Sequence, residues 1–395
     1  MSMMKEIIQA TVQALKSGQS VALVTVIRSM GSTPRHAAAK MVVRADGSFV
    51  GTIGGGSMEY KAVQDALAAL ATGKSCLVKY PLIGKTPQSL GLCGGTQEVF
   101  IDVLVSPLSN GRSLERLNLF DTIIAACDAG EPAALITVVR SPAGMAWQVG
   151  QKALLRYDLS VCGQLGGGEL RERLLVAAQR AQEQNRSIRL GYRPEDDAFV
   201  ELDSLSRESV EFFVDIVQPR PELLIIGTGH IGLALAEFGR IMGMRVVVVD
   251  DRPEWLQRFP DADETFMVSY EAETETLGSI PVTITPSTYI VVATWGWDEP
   301  ALEQVATSPA PYIGLVASQR KAKIIFDKLV ERGVPVEDLA CVRVPAGLHL
   351  GAETPEEIAL SIMAEILLLE RGATARPLVE IKGHPLALTA GRNWR

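Results

Sequence analysis

The sequence has few of the residues from which metal sites and crosslinked frameworks are built. It contains 5 cysteines and 4 histidines. The cysteines are scattered and form no C-x-x-C pair, so we expect neither a zinc ribbon nor a disulfide framework. The histidines show no metal-ligand spacing and no Ser/His/Asp order. We therefore expect no metal site made of protein ligands.

Long apolar runs and an excess of basic residues are also missing. No stretch approaches the roughly 18 apolar residues of a membrane span, and residues 1–9 carry no long apolar core of the kind found in secretory leaders. We therefore expect a soluble, cytoplasmic chain without peripheral membrane contact. The formal net charge is −8 and the pI is about 5.3, so a nucleic-acid partner is not expected.

The chain instead carries a strong dinucleotide-binding pattern after its midpoint. An apolar strand ends at Ile226 and is followed by Gly227-Thr228-Gly229-His230-Ile231-Gly232, a helix and the strand Arg245–Asp250. Gly227 allows a tight turn, Gly229 lets the backbone approach a phosphate, and Gly232 lets the helix pack against the strand. Asp250 is placed to accept hydrogen bonds from a ribose. This predicts a Rossmann unit, although a glycine turn that binds nothing remains the alternative.

The first half of the chain is an internal duplication. Residues 21–68 align with residues 133–180 without a gap, at an offset of 112 residues. Later, residues 99–103 resemble residues 212–216 with one residue inserted. A repeat of this length indicates two halves of one domain, because the repeats of solenoids are shorter.

Each copy predicts the same α/β unit. In the first copy, an amphipathic helix ending at Gly18 precedes strands near 21–27, 40–44 and 48–53. A helix follows over 57–71, and strands near 76–80 and 98–105 complete the copy. We expect an α/β protein with a duplicated domain at 1–217 (copies 1–105 and 113–217). A doubly wound Rossmann-like domain at 222–372 and a tail at 373–395 follow. Two prolines in Gln218–Pro221 mark the boundary.

Distinctive chemistry clusters in the first copy, which we interpret as the functional half. Gly54-Gly55-Gly56 opens a helix and exposes N–H groups that suit an oxyanion, but a tight turn alone is an equal explanation. Glu59 is a candidate to hold a donor-rich ring or to stabilise the first helical turn. Cys93, beside Gly94 and Gly95, is the candidate reactive or sulfur-ligand cysteine, against the alternative of a small buried apolar residue. Arg35 is a candidate anion anchor or a solvated surface residue.

In the second domain, three predicted strands end toward one edge, where ligands of open α/β sheets bind. They end at Thr294-Trp295-Gly296-Trp297-Asp298, at Ser318-Gln319-Arg320-Lys321, and after a strand near Val342–Val344. Trp295 and Trp297 are candidates to stack on a base or pterin, or to pack in the core. Arg320 and Lys321 are placed to neutralise phosphate. His230 would face a bound phosphate, or cap the helix.

Taken together, these segments resemble the XdhC/CoxI family of xanthine dehydrogenase accessory proteins over nearly the whole chain. The resemblance rests on residues 25–35, 51–59 and 92–95, the glycine turn at 227–232, and residues 351–359. It implies a chaperone, not itself a hydroxylase, that binds the molybdenum–pterin cofactor. The cofactor form would be molybdopterin or its cytosine dinucleotide. The chaperone would assist sulfuration by a partner cysteine desulfurase and insert the cofactor into an apo molybdenum hydroxylase, and a homodimer is expected.

The sequence departs from the family pattern at residues 37–39, 295–298 and 317–320, which suggests a subfamily serving a hydroxylase other than xanthine dehydrogenase. An NAD(P)-dependent oxidoreductase is the competing hypothesis. There Asp250 would favour a free ribose hydroxyl and Arg252 would meet a 2′-phosphate, but no Lys, Tyr or His constellation resembles a proton donor. A docking adaptor with a vestigial nucleotide site is a third interpretation.

Overall fold

A computed structural model describes residues 3–31, 37–82, 95–106, 113–142, 144–145, 147–166, 168–193, 198–201 and 209–382. The chain forms two compact units. Unit 1 comprises Met1–Pro221 with the short segments Thr283–Thr288 and Pro309–Pro311, and unit 2 comprises the remainder. Within the described ranges, no helix has both the length and the apolar character needed to cross a membrane.

Unit 1 contains the predicted duplication as two similar α/β halves. The first half consists of α1 (Met3–Lys16), β1 (Val21–Met30), β2 (Lys40–Arg44), β3 (Phe49–Gly51), α2 (Gly56–Thr72), β4 (Cys76–Pro81) and β5 (Thr96–Leu104). The second consists of α3 (Ser113–Asp128), β6 (Ala133–Arg140), β7 (Lys152–Leu155), β8 (Val161–Gly163), α4 (Glu169–Glu183), β9 (Ile188–Arg193), β10 (Ala198–Glu201) and β11 (Val210–Val217).

The two halves build equivalent antiparallel sheets. The first sheet has the order β3-β2-β1-β5-β4, and the second has the order β10-β9-β11-β6-β7-β8, which is the same arrangement with β10 added at the edge. The predicted strand at 48–53 is shorter than expected. It ends at Gly51, whose φ is 93° and whose position leaves no room for a side chain beside the Lys40 carbonyl. The backbone must turn away at that point, because this conformation interrupts a regular strand.

The inner faces of the two sheets meet through apolar side chains and buried ion pairs. Ile27, Phe100, Val139 and Phe213 form the apolar contact. Lys40 on β2 lies 2.5 Å from Asp215 on β11, and Lys152 on β7 lies 2.8 Å from Asp102 on β5, with all four side chains no more than 4% exposed. The two pairs are reciprocal, since each lysine of one copy meets the aspartate of the other. They relate the halves by an approximate twofold arrangement.

A third buried cluster breaks that symmetry. Arg189 on β9 contacts Glu98 of the first copy at 2.6 Å and also pairs with Glu211 of the second copy. Arg189 is opposite Phe213 in its sheet, and Leu77 is opposite Phe100 in the other sheet. Leu77 is therefore the counterpart of Arg189. One buried arginine thus contacts two equivalent glutamates, and each glutamate also has a more exposed cation nearby: Lys79 lies 3.7 Å from Glu98, and Arg140 lies 3.5 Å from Glu211.

Unit 2 is built on a five-stranded sheet of order β14-β13-β12-β17-β18, as expected for a doubly wound fold. Its strands pair in parallel where β12 meets β13, β13 meets β14, and β17 meets β18. The strands are β12 (Glu222–Ile226), β13 (Arg245–Asp250), β14 (Glu264–Met267), β15 (Tyr270–Glu271), β16 (Thr276–Leu277), β17 (Thr288–Val292) and β18 (Tyr312–Leu315). The helices are α5 (His230–Ile241), α6 (Pro253–Leu256), α7 (Asp298–Val305), α8 (Gln319–Glu331), α9 (Val336–Ala340), α10 (Pro355–Arg371) and α11 (Leu378–Lys382).

The prediction of a third strand near Val342–Val344 was wrong. This segment forms only a single parallel bridge, between Gly314 and Arg343. Pro345 follows directly and has no N–H group to extend a ladder. Helix α10 begins with a capping box: Thr354 accepts from the Glu357 backbone, Glu357 accepts from the Thr354 backbone, and Pro355 occupies the first helical turn.

Candidate functional site

The topology of the first sheet brings the carboxyl ends of three strands to the same end of the sheet. β2 and β5 run antiparallel to β1, and β3 and β4 run antiparallel to those two strands. The carboxyl ends of β1, β3 and β4 therefore point the same way. The segments that follow them contain the residues predicted for the first copy. Of these, Arg35, Cys93 and Gly94 lie outside the described residues, and their roles remain predictions.

The triple-glycine turn is held in shape by Glu59. Its Oε2 atom accepts hydrogen bonds from the Thr52 hydroxyl at 2.5 Å, the Ile53 amide at 3.1 Å and the Gly55 amide at 3.2 Å. The carboxylate is thus an internal acceptor that closes the loop back on the first turn of α2. Such charge-assisted bonds are stronger than neutral ones.

The three glycines are required by their backbone conformation. Gly54, Gly55 and Gly56 have φ values of 140°, 76° and 68°, which residues with a side chain rarely adopt. A side chain at Gly55 or Gly56 would meet no atom within 4 Å. The backbone there is consequently open on the outside, and Gly55 supplies no side-chain cap to α2.

The second copy keeps the glycine turn but lacks the glutamate that accepts its hydrogen bonds. Gly168 begins α4 with φ 87°, as Gly55 begins α2 with φ 76°. Arg171 stands at the position of Glu59 and changes the local charge from negative to positive. A side chain at Gly166, the counterpart of Gly54, would come within 2.8 Å of the Trp147 indole nitrogen, whereas a side chain at Gly168, the counterpart of Gly56, would meet no atom within 4 Å. Gly56 and Gly168 are therefore equally open, and the two copies differ in the charge of the residue at the Glu59 position.

Gly95 is the one member of the Cys93-Gly94-Gly95 segment that the structure describes. It is buried, and its carbonyl accepts a hydrogen bond from the Leu82 amide at 2.8 Å. This bond closes the connection between β4 and β5 at the same sheet end as Met30, which is opposite Thr96 in the β1–β5 ladder.

The glycine turn of unit 2 has the geometry that its spacing predicts. Gly227 has φ 112°, and a side chain there would approach the Ala293 carbonyl oxygen to 2.2 Å. A side chain at Gly232 would approach the Gly227 carbonyl oxygen to 2.4 Å, so both glycines permit close packing. Gly229 differs, because its φ is −62° and nothing lies within 4 Å of an added side chain. It is therefore the glycine that leaves room for a ligand.

Asp250 is committed to protein partners. It is fully buried. One oxygen accepts from the Thr228 amide at 2.8 Å and the Thr228 hydroxyl at 2.7 Å, and the other accepts from the Arg252 amide and Nε at 2.9 Å. Burial opposes ionisation, but the hydrogen bonds from Arg252 and Thr228 outweigh it and lower the pKa of Asp250. The carboxylate braces the glycine turn, while ribose binding by Asp250 remains a prediction.

One tryptophan and two arginines pack together next to this turn, and sequence analysis did not predict that contact. The guanidinium carbons of Arg252 and Arg258 each lie 4.7 Å from the centre of the Trp255 ring, a distance typical of cation–π contacts. His230, the first residue of α5, is exposed and lies with its ring 6.4 Å from that of Trp255. Residues 252–258 span a short helix, and their spacing matches no motif that would predict this cluster.

The two tryptophans after β17 have opposite environments. Trp295 is 86% exposed, whereas Trp297 is 1% exposed and donates its indole N–H to Asp251 at 3.1 Å. Only Trp295 is accessible for stacking. Gly296, with φ 102°, forms the turn between them.

A buried acid organises the edge beside Trp295. Asp298 is 2% exposed and accepts from the amide and hydroxyl of Thr294 at 3.1 and 2.8 Å. Its second oxygen pairs with Lys321, the half-exposed residue from the first turn of α8. Arg320 is exposed. Sequence analysis placed these segments at one edge but did not predict the Asp298–Lys321 pair, because Asp298 also fits the ordinary role of an acid at a helix start.

Comparison with known proteins agrees with this architecture. Residues 14–81 and 126–193 both match the description "XdhC and CoxI family", and residues 223–366 match "XdhC Rossmann domain". The two matches in unit 1 are offset by 112 residues, which confirms the duplication.

Three curated bacterial relatives are similar in sequence. "Uncharacterized protein YqeB" of Escherichia coli is 30% identical over 60% of this chain, but the match spans only 44% of YqeB. A probable xanthine dehydrogenase subunit of Bacillus subtilis is 23% identical, over 89% of this chain and 94% of that protein. "Molybdenum cofactor insertion chaperone PaoD" of Escherichia coli is 21% identical, over 92% and 87%.

A solved structure supports the fold. The crystal structure of a xanthine dehydrogenase from Bacillus halodurans covers 96% of this chain and 98% of its own, with a TM-score of 0.59 and 22% identity. Both halves of unit 1 and the Rossmann sheet of unit 2 thus have counterparts in one family. The chain belongs to the XdhC and CoxI family.

Proposed function

We propose that this protein is an accessory chaperone that binds the molybdenum–pterin cofactor as cargo and inserts it into an apo molybdenum hydroxylase of the xanthine dehydrogenase type. The observation that carries the proposal is the match over nine-tenths of the chain to a protein described as a molybdenum cofactor insertion chaperone. The match spans residues of both units.

The geometry of unit 1 supports a role in holding the cofactor. No atom lies within 4 Å of an added side chain at Gly55 or Gly56, so a ligand can approach the backbone at the start of α2, and Glu59 fixes that turn by accepting from the Gly55 amide. Free space at a helix start suits the phosphate of a pterin. The predicted contacts at Arg35, Cys93 and Gly94 would complete the cofactor site of unit 1, with Cys93 next to the molybdenum and its sulfur ligands.

Unit 2 supports a role in holding a phosphate and an aromatic ring. Gly229 leaves space at the glycine turn, and Trp295 is exposed at the neighbouring strand end. This combination suits either the pterin phosphate or the pyrophosphate and base of the cytosine dinucleotide form. Arg320 would contribute positive charge from α8.

The finer parts of the proposal follow from the family resemblance. We propose that a cysteine desulfurase supplies sulfur to the bound cofactor, that Cys93 takes part in this step, and that the chaperone works in the cytoplasm as a homodimer. The geometry does not favour the alternative of an NAD(P)-dependent oxidoreductase, because both oxygens of Asp250 already bind Thr228 and Arg252.

The test is to purify the full chain anaerobically from a host that makes the cofactor, and to measure molybdenum and released pterin by mass spectrometry. We expect a molybdenum–pterin to copurify with the protein, and Cys93→Ala to lose most of it. Cys341→Ala, which changes an exposed cysteine, is the matched control and should retain the cofactor. The absence of bound cofactor in both its mononucleotide and dinucleotide forms would refute the proposal.

A further inference from the structure

The carboxyl edge of the sheet in unit 2 offers two half-sites that meet at the glycine turn. The strand order β14-β13-β12-β17-β18 places β12 between β13 and β17, and ligands of such sheets bind where the strand order reverses. A dinucleotide sets its pyrophosphate on the glycine turn and extends one nucleoside over the end of β13, where an acid accepts the ribose hydroxyls. We call this position the β13 half-site and the position next to the loop after β17 the β17 half-site.

The acid of the β13 half-site has no acceptor capacity left for a ribose. An ionised carboxylate offers about four lone-pair positions. Asp250 already accepts five hydrogen bonds, two from Thr228 and three from Arg252. One of these, from Arg252 Nη2 at 3.0 Å, makes the guanidinium bridge both carboxylate oxygens. The same Nη2 atom lies 3.4 Å from the Thr228 hydroxyl, so Arg252 joins the end of β13 to the glycine turn.

Packing around Arg252 fills the rest of the β13 half-site. The Arg252 guanidinium carbon lies 4.7 Å from the centre of the Trp255 ring, a distance typical of cation–π contacts. Asp251, one residue beyond the ribose position, is turned toward the loop after β17. There its Oδ1 atom accepts the indole N–H of the buried Trp297 at 3.1 Å. A nucleoside that entered over β13 would therefore have to displace side chains that already bind each other.

The β17 half-site is open by contrast. The turns after β12 and β17 are direct neighbours, because a side chain at Gly227 would lie 2.9 Å from the Thr294 amide nitrogen. An added side chain at Gly229 would meet no atom within 4 Å, and the first N–H groups of a helix such as α5 have no partner inside the helix. Trp295, on the β17 side, is 86% exposed. One phosphate and one aromatic ring can therefore be held on this side of the turn.

We propose that Arg252 determines the specificity of this site: it closes the β13 half-site, so that unit 2 binds a ligand with one aromatic ring and one phosphate and excludes dinucleotides. This inference rests on the proposed function, in whose terms unit 2 selects molybdopterin over its cytosine dinucleotide form. A dinucleotide reaches the ribose acceptor only by breaking the bonds between Arg252 and Asp250. Those bonds are charge-assisted and stronger than the neutral bonds that a ribose hydroxyl would make between uncharged groups.

The test is to purify the full chain anaerobically from a host that makes both cofactor forms and to quantify each released form by mass spectrometry. We expect the ratio of molybdopterin to the dinucleotide form to be at least about tenfold higher on the protein than in the host extract. Arg252→Ala should bring this ratio close to that of the extract, because it frees a lone pair of Asp250 for a ribose. Enrichment of the dinucleotide form on the unmodified protein would overturn the inference.

A second arginine supplies the matched control. Arg258 lies at the same 4.7 Å from the Trp255 ring, but the five bonds to Asp250 come from other residues. Arg258→Ala should therefore keep the ratio of the unmodified protein, and an equal effect of both alanine variants would argue against a specific role of Arg252. Arg252→Met, which keeps an apolar side chain against Trp255, replaces the alanine variant if the latter has a lowered melting temperature.

Titration with NADH, followed by its fluorescence, tests the half-site without the cofactor. Arg252→Ala should bind NADH at least about tenfold more tightly than the unmodified protein or Arg258→Ala. Equal binding of NADH by the unmodified protein and Arg252→Ala would show that Arg252 does not close the half-site. If neither cofactor form copurifies, the proposed function fails, and the NADH comparison still decides the role of Arg252.

Discussion

Removal of Lys152 tests whether the reciprocal ion pairs hold the two halves of unit 1 together. Lys152→Met keeps an apolar stem of similar length but leaves the Asp102 carboxylate, which is 1% exposed, without its cation. Breaking a buried pair in this way costs about 3–5 kcal/mol. In a unit of this size, each kcal/mol corresponds to about 2–4 °C in melting temperature. We therefore expect a decrease of about 6–20 °C in the transition of unit 1.

Differential scanning calorimetry of the full chain measures this effect. Lys40→Met breaks the reciprocal pair and should cost a similar amount, because its partner Asp215 is equally buried. Lys16→Met breaks an exposed pair with Asp121 and should cost less than about 1 kcal/mol. Combining Lys152→Met with Asp102→Leu removes both charges and should recover most of the loss. If Lys152→Met shifts the transition no more than Lys16→Met, the buried pairs do not carry the stability assigned to them.

Three further outcomes are expected, two from substitutions and one from cysteine labelling. Gly227→Ala should lower the melting temperature of unit 2, because the added side chain would approach a carbonyl oxygen to 2.2 Å. Gly229→Ala should keep the melting temperature but weaken cofactor binding. Equal melting temperatures of the two variants would contradict this difference. Trp295→Phe should leave stability unchanged and reduce quenching of tryptophan fluorescence by added cofactor, and quenching as strong as in the unchanged protein would argue against stacking. Burial raises the pKa of Cys127 to about 11. Since the folded-state pKa exceeds the unfolded value, this thiol contributes stability below about pH 9 that is lost toward pH 11. Iodoacetamide at pH 8 should therefore modify exposed Cys341 well before Cys127, and the reverse order would contradict the burial argument.

The fold could be predicted largely from local patterns. Apolar periodicity and the glycine at position 18 predicted α1 and the strands after it, and the offset repeat predicted two equivalent halves. Spacing alone also predicted the turn at 227–232. The helix, strand and turn patterns depend on residues close in sequence, and the repeat depends on direct comparison of two segments, so neither needed coordinates.

Contacts between distant strands could not be predicted in the same way. The alignment paired Lys40 with Lys152 and Asp102 with Asp215 as equivalent positions, but nothing indicated that each lysine would meet the aspartate of the other copy. The role of Asp250 was likewise ambiguous, because a buried brace for Thr228 and a ribose acceptor have the same sequence signature. The partners of these side chains are decided by tertiary packing, which the spacing of residues along the chain does not specify.

The single arginine between Glu98 and Glu211 has a consequence for how the duplicated domain arose. Two first copies paired in this arrangement would enclose two glutamates and two leucines at the Leu77 position, which leaves each buried glutamate with only the solvent-exposed Lys79, 3.7 Å from Glu98, as a cation. Two second copies would enclose two glutamates and two arginines, which balance. The second copy therefore retains what a self-associating ancestor would need. In the first copy, Glu98 obtains its buried cation from the covalently joined second copy, through Arg189.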